Sequence, residues 1–244
     1  MDAKHKLLVH HEVTNDGNDS GQAARQATAA KEVLRVDSLI AVADAGFYSE
    51  AQLAACEQAI ITATPDKHQA ITAEGRLSGA QFHYIPGADV YVCPGGEVLR
   101  PQGKPAPIHG ILRQCYTRSA RACQGCPPKG ICLPEKTGRR QIYRSEHAPV
   151  AEAAHRRRMV EEGAERMRQR ASLVEHPFGT LKRWFGWDHF LVRGFEKVRG
   201  GMSLMVLGYN LTRVINILGL QAFRDYCAQR LPSGWMTTQA VVAA

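Results

Sequence analysis

The sequence predicts an α/β fold, on three observations. Residues 37–47, "DSLIAVADAGF", hold a short and nearly continuous apolar run, as in a strand buried on both faces. Helix-forming stretches alternate with such runs up to residue 65, the order of a sheet layer covered by helices. Hydrophobic residues make up 44% of the chain and charged residues 22%, which is enough for an ordinary globular core.

The elements follow in order. Residues 6–14, "KLLVHHEVT", are rich in Val and Leu and predict a strand, and "NDGNDSG" predicts a turn. Residues 22–34 are Ala-rich and helical in propensity. The apolar run then ends at Asp44, Ala45 and Gly46. Ser49 and Gln52 have the spacing of a capping box and open the helix "EAQLAACEQA", and "IITATP" is the next strand. From about residue 87 to 147 Gly, Pro and Cys dominate and the periodicity fades, so this part reads as an inserted, loop-rich subdomain. Helical texture returns with "AEAAHRRRMVEEGAERMRQR" and continues into the apolar helix 202–218. The division expected is 1–86, an inserted 87–148, a helical 149–219 and a tail 220–244.

The chain has 244 residues, which suits one large domain or a domain with an insertion. Lys and Arg number 31 against 23 Asp and Glu, a formal charge of +8. That excess favours a polyanionic partner, nucleic acid first among them, although many basic proteins have none. No apolar leader opens "MDAKHKLLVHHEV". The apolar run 202–218 carries Asn210, Arg213 and Asn216, so it reads as a buried helix and no membrane is expected. Seven cysteines, an odd number, argue against a disulfide framework and for a reducing cytoplasm.

Four groups of residues could carry chemistry. Asp44 ends a predicted buried strand, where α/β sheets place ligands; the plainer reading is a turn cap with Gly46. In "ASLVEHPFGTLKRWFGW", Phe178, Leu181, Trp184 and Phe185 recur at helical spacing, with Glu175 and Lys182 two turns apart beside them. A solvated surface pair is the plain reading there, and Trp184 and Trp187 read as core. Cys123 and Cys126 form a C-x-x-C knuckle, with Cys132 shortly after and Cys93 well before. Four thiolates suit a tetrahedral structural zinc, and reduced, unligated cysteines are the equal alternative. Cys115 is a spare or a substitute ligand, while Cys56 and Cys227 fall in helical patterns and read as core. Finally, Arg and Lys cluster at 139–144, 156–158, 166–170 and 182–199; on the Arg- and Glu-rich helix about half of them read as a solvated face with pairs four apart, such as Arg157 with Glu161.

Taken together, "VADAGFYSEAQL" and "RASLVEHPFGTLKRWFG" resemble the second-Asp and Glu blocks of bacterial insertion-sequence transposases of the DDE class. "MDAKHKLLVHHEVTNDGNDSGQ" and the Cys-rich "YVCPGGEVL … CQGCPPKGIC … GRRQIYR" resemble segments of one branch of that family, in matching order across residues 2–219. The resemblance implies a ribonuclease-H-like core in which three carboxylates hold two magnesium (or manganese) ions for DNA cleavage and strand transfer. By that carry-over Asp44 is the second carboxylate and Glu175 the third, with Lys182, Arg183 and Arg170 reaching DNA phosphates. The family's Tyr–Arg–Glu–Lys signature keeps its Glu-to-Lys spacing, but its Arg position is Ala171, its Tyr position is Arg168, and Arg170 is one residue out. Pro177 is a further departure, expected to bend or start the helix locally.

The family's first Asp lies on a strand upstream of the block that matches Asp2. The expectation is therefore an incomplete core lacking that strand, inactive in cutting DNA. The implied partner is double-stranded DNA at element ends and target, in the cytoplasm at the nucleoid, with a homo-oligomer as a further expectation. The rival readings are a non-catalytic DNA-binding or transposase-antagonising remnant, and a zinc-dependent interaction module.

Overall fold

The computed structural model describes residues 1–65, 75–184, 186 and 189–230. The chain forms two compact units. One comprises residues 17–31 and 36–166; the other comprises residues 1–16, 32–35 and 167–244.

The first unit holds both sheets. Strands β1 (Leu39–Ala43) and β2 (Ile61–Pro65) run parallel, with Leu39 opposite Ile61 and Ala41 opposite Ala63. The crossover between them is α2 (Glu50–Gln58), because parallel neighbours need a long connection. Packed on this pair are α1 (Ala23–Leu34) and α5 (Ala148–Met159), and Leu53, Cys56, Ile61, Ala63, Ala151 and Ala154 form the buried core. Alanine on α5 lets the helix approach closely. The expected burial of β1 on both faces does not hold: Ile40 is 53% exposed, since only β2 pairs with β1 among the described residues.

The predicted capping box is also rearranged. Ser49 is the N-cap residue of α2, but its side chain makes no capping bond. Gln52 instead accepts the backbone N–H of Ala24 at 3.0 Å, so it satisfies a donor in the first turn of α1. Tertiary packing gave this glutamine a better partner than its own helix.

The stretch expected to be loop-rich is an antiparallel meander. β3 (His83–Ile85), β4 (Val90–Val92), β5 (Val98–Ile108), β6 (Ile111–Thr117) and β7 (Gln141–Ser145) hydrogen-bond in chain order. Prolines disguise it. Pro101, Pro105 and Pro107 all lie in β5, whose pairing with β4 reaches only Val98 and Leu99. One edge of β5 is thus without a strand neighbour beyond that point among the described residues, and a residue lacking N–H is tolerated there. The ladder to β6 shifts register between Gln102 and Ala106.

Beneath the meander lies a second core of Leu77, Phe82, Tyr91, Leu99, Tyr116 and Ile142. Tyr91 packs against Tyr84 and Tyr116 with ring centroids 5.0 Å from each. The hydroxyls of Tyr84 and Tyr116 both donate to Asp89, which stands at φ +49° in the turn before β4. Short helices α3 (Ala120–Gln124) and α4 (Lys129–Cys132) connect β6 to β7.

The second unit is built on α7 (Phe195–Leu218). Residues 6–14 do not form the predicted strand; the segment lies along α7, and helix side chains satisfy part of its backbone. Asn210 accepts from the N–H of Leu8 and donates to its carbonyl, both at 2.9 Å. Arg213 donates to the carbonyl of His5, and Tyr209 to that of Lys6. An amide that can give and take at once replaces a neighbouring strand locally. Tyr209 is fully buried, with Val206 and Leu181 also buried in this unit.

The helix α6 (Glu161–Gly179), which belongs to this unit from Met167 onward, passes through Pro177 without starting there, and it continues as a π-helical turn, Thr180–Trp184. Proline removes one rung of the helix ladder, and such wide turns commonly follow a disturbed ladder. The Thr180 hydroxyl donates to the carbonyl of His176 at 3.0 Å. Residues 220–230, expected as tail, form α8 (Leu220–Arg230). Among the described residues no single helix is long and apolar enough to cross a membrane; α7 and α8 would do so only together, and they bend by 111°.

Candidate functional site

Asp44 sits immediately after β1, at its C-terminal end, and is exposed. Its Oδ1 accepts the N–H of Gly46 at 3.0 Å and caps the 3₁₀ turn Ala45–Phe47. The turn-cap reading is therefore correct as geometry, and the cap holds the carboxylate at the C-terminal end of β1. A Cβ on residue 46 would lie 3.2 Å from Oδ1, so glycine leaves room for the cap.

Glu175 lies on α6 and is exposed, as are Lys182 and Arg183 on the π-helical turn. The seven-residue spacing that puts Glu175 and Lys182 on one face of an uninterrupted α-helix crosses that turn, so the phase argument weakens. The Lys182 ammonium is 5.8 Å from the centroid of the Phe178 ring. Phe178 itself is 52% exposed whereas Leu181 is buried, so the expected apolar stripe divides. Phe185 and Trp187 lie outside the described residues. Arg170 is half-buried on α6. Arg157, expected to pair with Glu161, instead bonds Glu57 at 2.8 Å.

Asp44 falls in the first unit and Glu175 in the second. Among the described residues no three or more His, Cys, Asp or Glu side chains converge as a ready-made metal-ligand cluster. As donors, both carboxylates present hard oxygen at exposed positions, and that chemistry fits magnesium.

The cysteines divide as follows. Cys93, Cys123, Cys126 and Cys132 all line one small cavity of about 30 Å³, with Leu77, Phe82 and Leu99 among its apolar walls. Burial first, and then the thiols of Cys93 and Cys123, push the Cys126 thiol above its ordinary range. Burial raises Cys132 as well, with Arg140 acting against it. Cys115 lies in β6, Cys227 is half-buried in α8, and Cys56 is a fully buried core residue. A larger open cleft of about 430 Å³ is lined by Tyr48, Glu50, Arg144, Ser145 and Glu152 among others. Sequence reasoning missed this cleft, because its residues come from separate segments, among them α2, β4, β7 and α5, with no local motif. Its charged groups are internally paired: Arg144 bridges to Glu152, and Ser145 donates to Glu50.

No curated protein and no solved structure matches the chain. Residues 92–215 match the family model described as "Transposase DDE domain", a span that runs from the end of β4 into α7. It contains Glu175, Lys182 and all four cavity-lining cysteines, and Asp44 lies before it. With half of its length matched, the chain belongs to the transposase DDE domain family.

Proposed function

We propose that this protein takes part in DNA transposition, contributing Asp44 and Glu175 to the magnesium-binding (or manganese-binding) site of a ribonuclease-H-like strand-cleavage and strand-transfer centre. The observation that carries the reading is the family match across 92–215, which includes Glu175. The formal charge of +8 supports a polyanionic substrate, double-stranded DNA. When bound, the divalent ions supply Lewis acidity at the scissile phosphodiester. Asp44 and Glu175 hold position and negative charge; Lys182 and Arg183, both exposed, neutralise DNA phosphates, and Arg170 flanks them on α6.

Two-ion chemistry wants three carboxylates, and the resemblance assigns two on this chain. The chain by itself therefore binds DNA without cutting it. The direct test combines the purified chain, magnesium or manganese, and duplex DNA from either side of its own coding sequence. A gel shift with no nicking is expected, and Lys182→Ala with Arg183→Ala should lower the salt slope by about 0.9 for each phosphate no longer neutralised. Nicking abolished by Asp44→Asn would show a complete site. Absence of any DNA binding at low salt would sink the DNA reading altogether.

The second reading, a non-catalytic remnant that obstructs an intact relative, shares the first outcome. It separates when an active DDE transposase is added: inhibition at equal concentration supports it, and no effect removes it.

A further inference from the structure

The four cavity-lining cysteines come from three places in the chain. Cys93 closes the β4–β5 hairpin, Cys123 lies on α3, and Cys126 and Cys132 bracket α4. Sequence proximity explains the last three; only the fold brings Cys93 to them.

Three of the four cysteines have their backbone held by hydrogen bonds. The Cys93 N–H donates to the carbonyl of Glu97, and its carbonyl accepts from Gly96, both at 2.9 Å, in a turn where Gly96 stands at φ +80°. The Cys126 carbonyl accepts from Lys129 at 3.0 Å, and the Cys132 N–H donates to the carbonyl of Pro128 at 2.9 Å. Arg140 donates to the carbonyls of Cys132 and Leu77, and so ties α4 to the meander. Gly95 keeps space between two of the sulfurs. A Cβ there would lie 2.9 Å from Sγ of Cys126, so any other residue would push that sulfur aside, while Sγ of Cys93 at 3.7 Å stays in ordinary contact.

From this arrangement we infer that the meander carries a structural zinc site whose ligands are Cys93, Cys123, Cys126 and Cys132. Four thiolates match the tetrahedral preference of zinc, with no position left open for catalysis. The cavity, about 30 Å³, exceeds the roughly 10–15 Å³ that one water-sized sphere needs, so a single ion has room. Charge also fits. Zinc with four thiolates carries two negative charges, and Lys129 and Arg140 line the same cavity, while Arg118 there is bridged to Glu97. The thiols are not drawn into ligand geometry as they stand. Rotation about the Cα–Cβ bonds, between staggered wells, is the adjustment the site requires. Bound zinc joins the β4–β5 turn to the α3–α4 connection, beside the ion pair that Glu97 of that turn makes with Arg118. The inference is independent of the carboxylate reading.

The first experiment uses the unaltered full chain, purified with zinc and without chelator. One zinc per chain is expected by elemental analysis. Native alkylation followed by peptide mapping should find Cys93, Cys123, Cys126 and Cys132 protected until the metal is chelated, and Cys115 unchanged by chelation. Cobalt added to the chelated chain should give thiolate-to-cobalt charge transfer with tetrahedral bands, lost in Cys93→Ser and kept in Cys115→Ser. Absence of zinc and cobalt bands, iron in place of zinc, or a protected set that omits Cys93 would each overturn the site. The mapping needs no variant, so misfolding of Cys93→Ser leaves the test intact.

Discussion

The two units solve the same problem by different means. The unit with the sheets satisfies its backbone by strand pairing and buries two separate clusters, one under β1 and β2 and one under the meander. The unit built on α7 buries few large side chains: Tyr209, Val206 and Leu181 stand against Leu204, Leu207 and Leu211 at 66%, 62% and 43% exposed. Its N-terminal segment is held by side chains of a single helix. The first unit draws its stability from many moderate interactions, whereas the second concentrates it in a few residues.

The sharpest way to break that contrast is Tyr209→Ala. The ring is fully buried, and its hydroxyl bonds both the Lys6 carbonyl and His176. A loss of about 3–5 kcal/mol is expected from a large aromatic truncation, and Tyr209→Phe should lose only about 1–3 kcal/mol, the cost of the buried hydroxyl's bonds. Denaturant unfolding followed by tryptophan fluorescence checks both. Equal losses in the two variants would mean that the hydroxyl, not the packing, holds the unit.

Leu99→Ala provides the counterpart in the meander. Leu99 is 2% exposed, and a cost of about 2–5 kcal/mol is expected. If zinc holds this region, zinc should raise the stability of wild type and Leu99→Ala alike and leave the difference between them unchanged, since binding to the native state adds the same increment to both.

Next comes Asn210→Ala, with a loss of about 1–2 kcal/mol, the scale of two ordinary hydrogen bonds. Hydrogen exchange at the Leu8 amide should accelerate while β6 amides stay protected. Acceleration in both would show that the units open together.

The smallest effect is a pH dependence. Hydrogen bonds from Tyr116 and then Tyr84 hold the Asp89 carboxyl below its ordinary 3.8. A lowered native pKa gives stability that is present above 3.8 and lost as pH falls below it. Acid titration of near-ultraviolet circular dichroism should show that loss, and Asp89→Asn, which keeps an acceptor and tolerates positive φ, should flatten it.

The parallel pair, its helices and the last long helix were legible in the sequence because each rests on local periodicity. The meander was not, since the prolines of β5 sit on an edge whose freedom only the pairing of β4 reveals. The fate of residues 6–14 was equally hidden: Val- and Leu-rich sequence asks for an extended backbone, but only the partner decides whether it becomes a strand. Asp44 was legible as a strand-end carboxylate, and its turn cap was foreseen. Lys182 was placed by helical phase, and the π-helical turn that alters this phase has no signature beyond Pro177. Cys123, Cys126 and Cys132 announce themselves by spacing, whereas Cys93 joins them only through the hairpin.

The clasp of Asn210 on Leu8 joins residues 202 positions apart in the chain. At roughly 5–20 residues per second of synthesis, Leu8 leaves the ribosome on the order of ten to forty seconds before Asn210 exists. During that interval "LLVHHEV" is an apolar, extended segment without its helix, open to any strand edge that forms first. The long helix therefore acts as a late lock, and the order in which the polypeptide emerges leaves this segment without its partner throughout that interval.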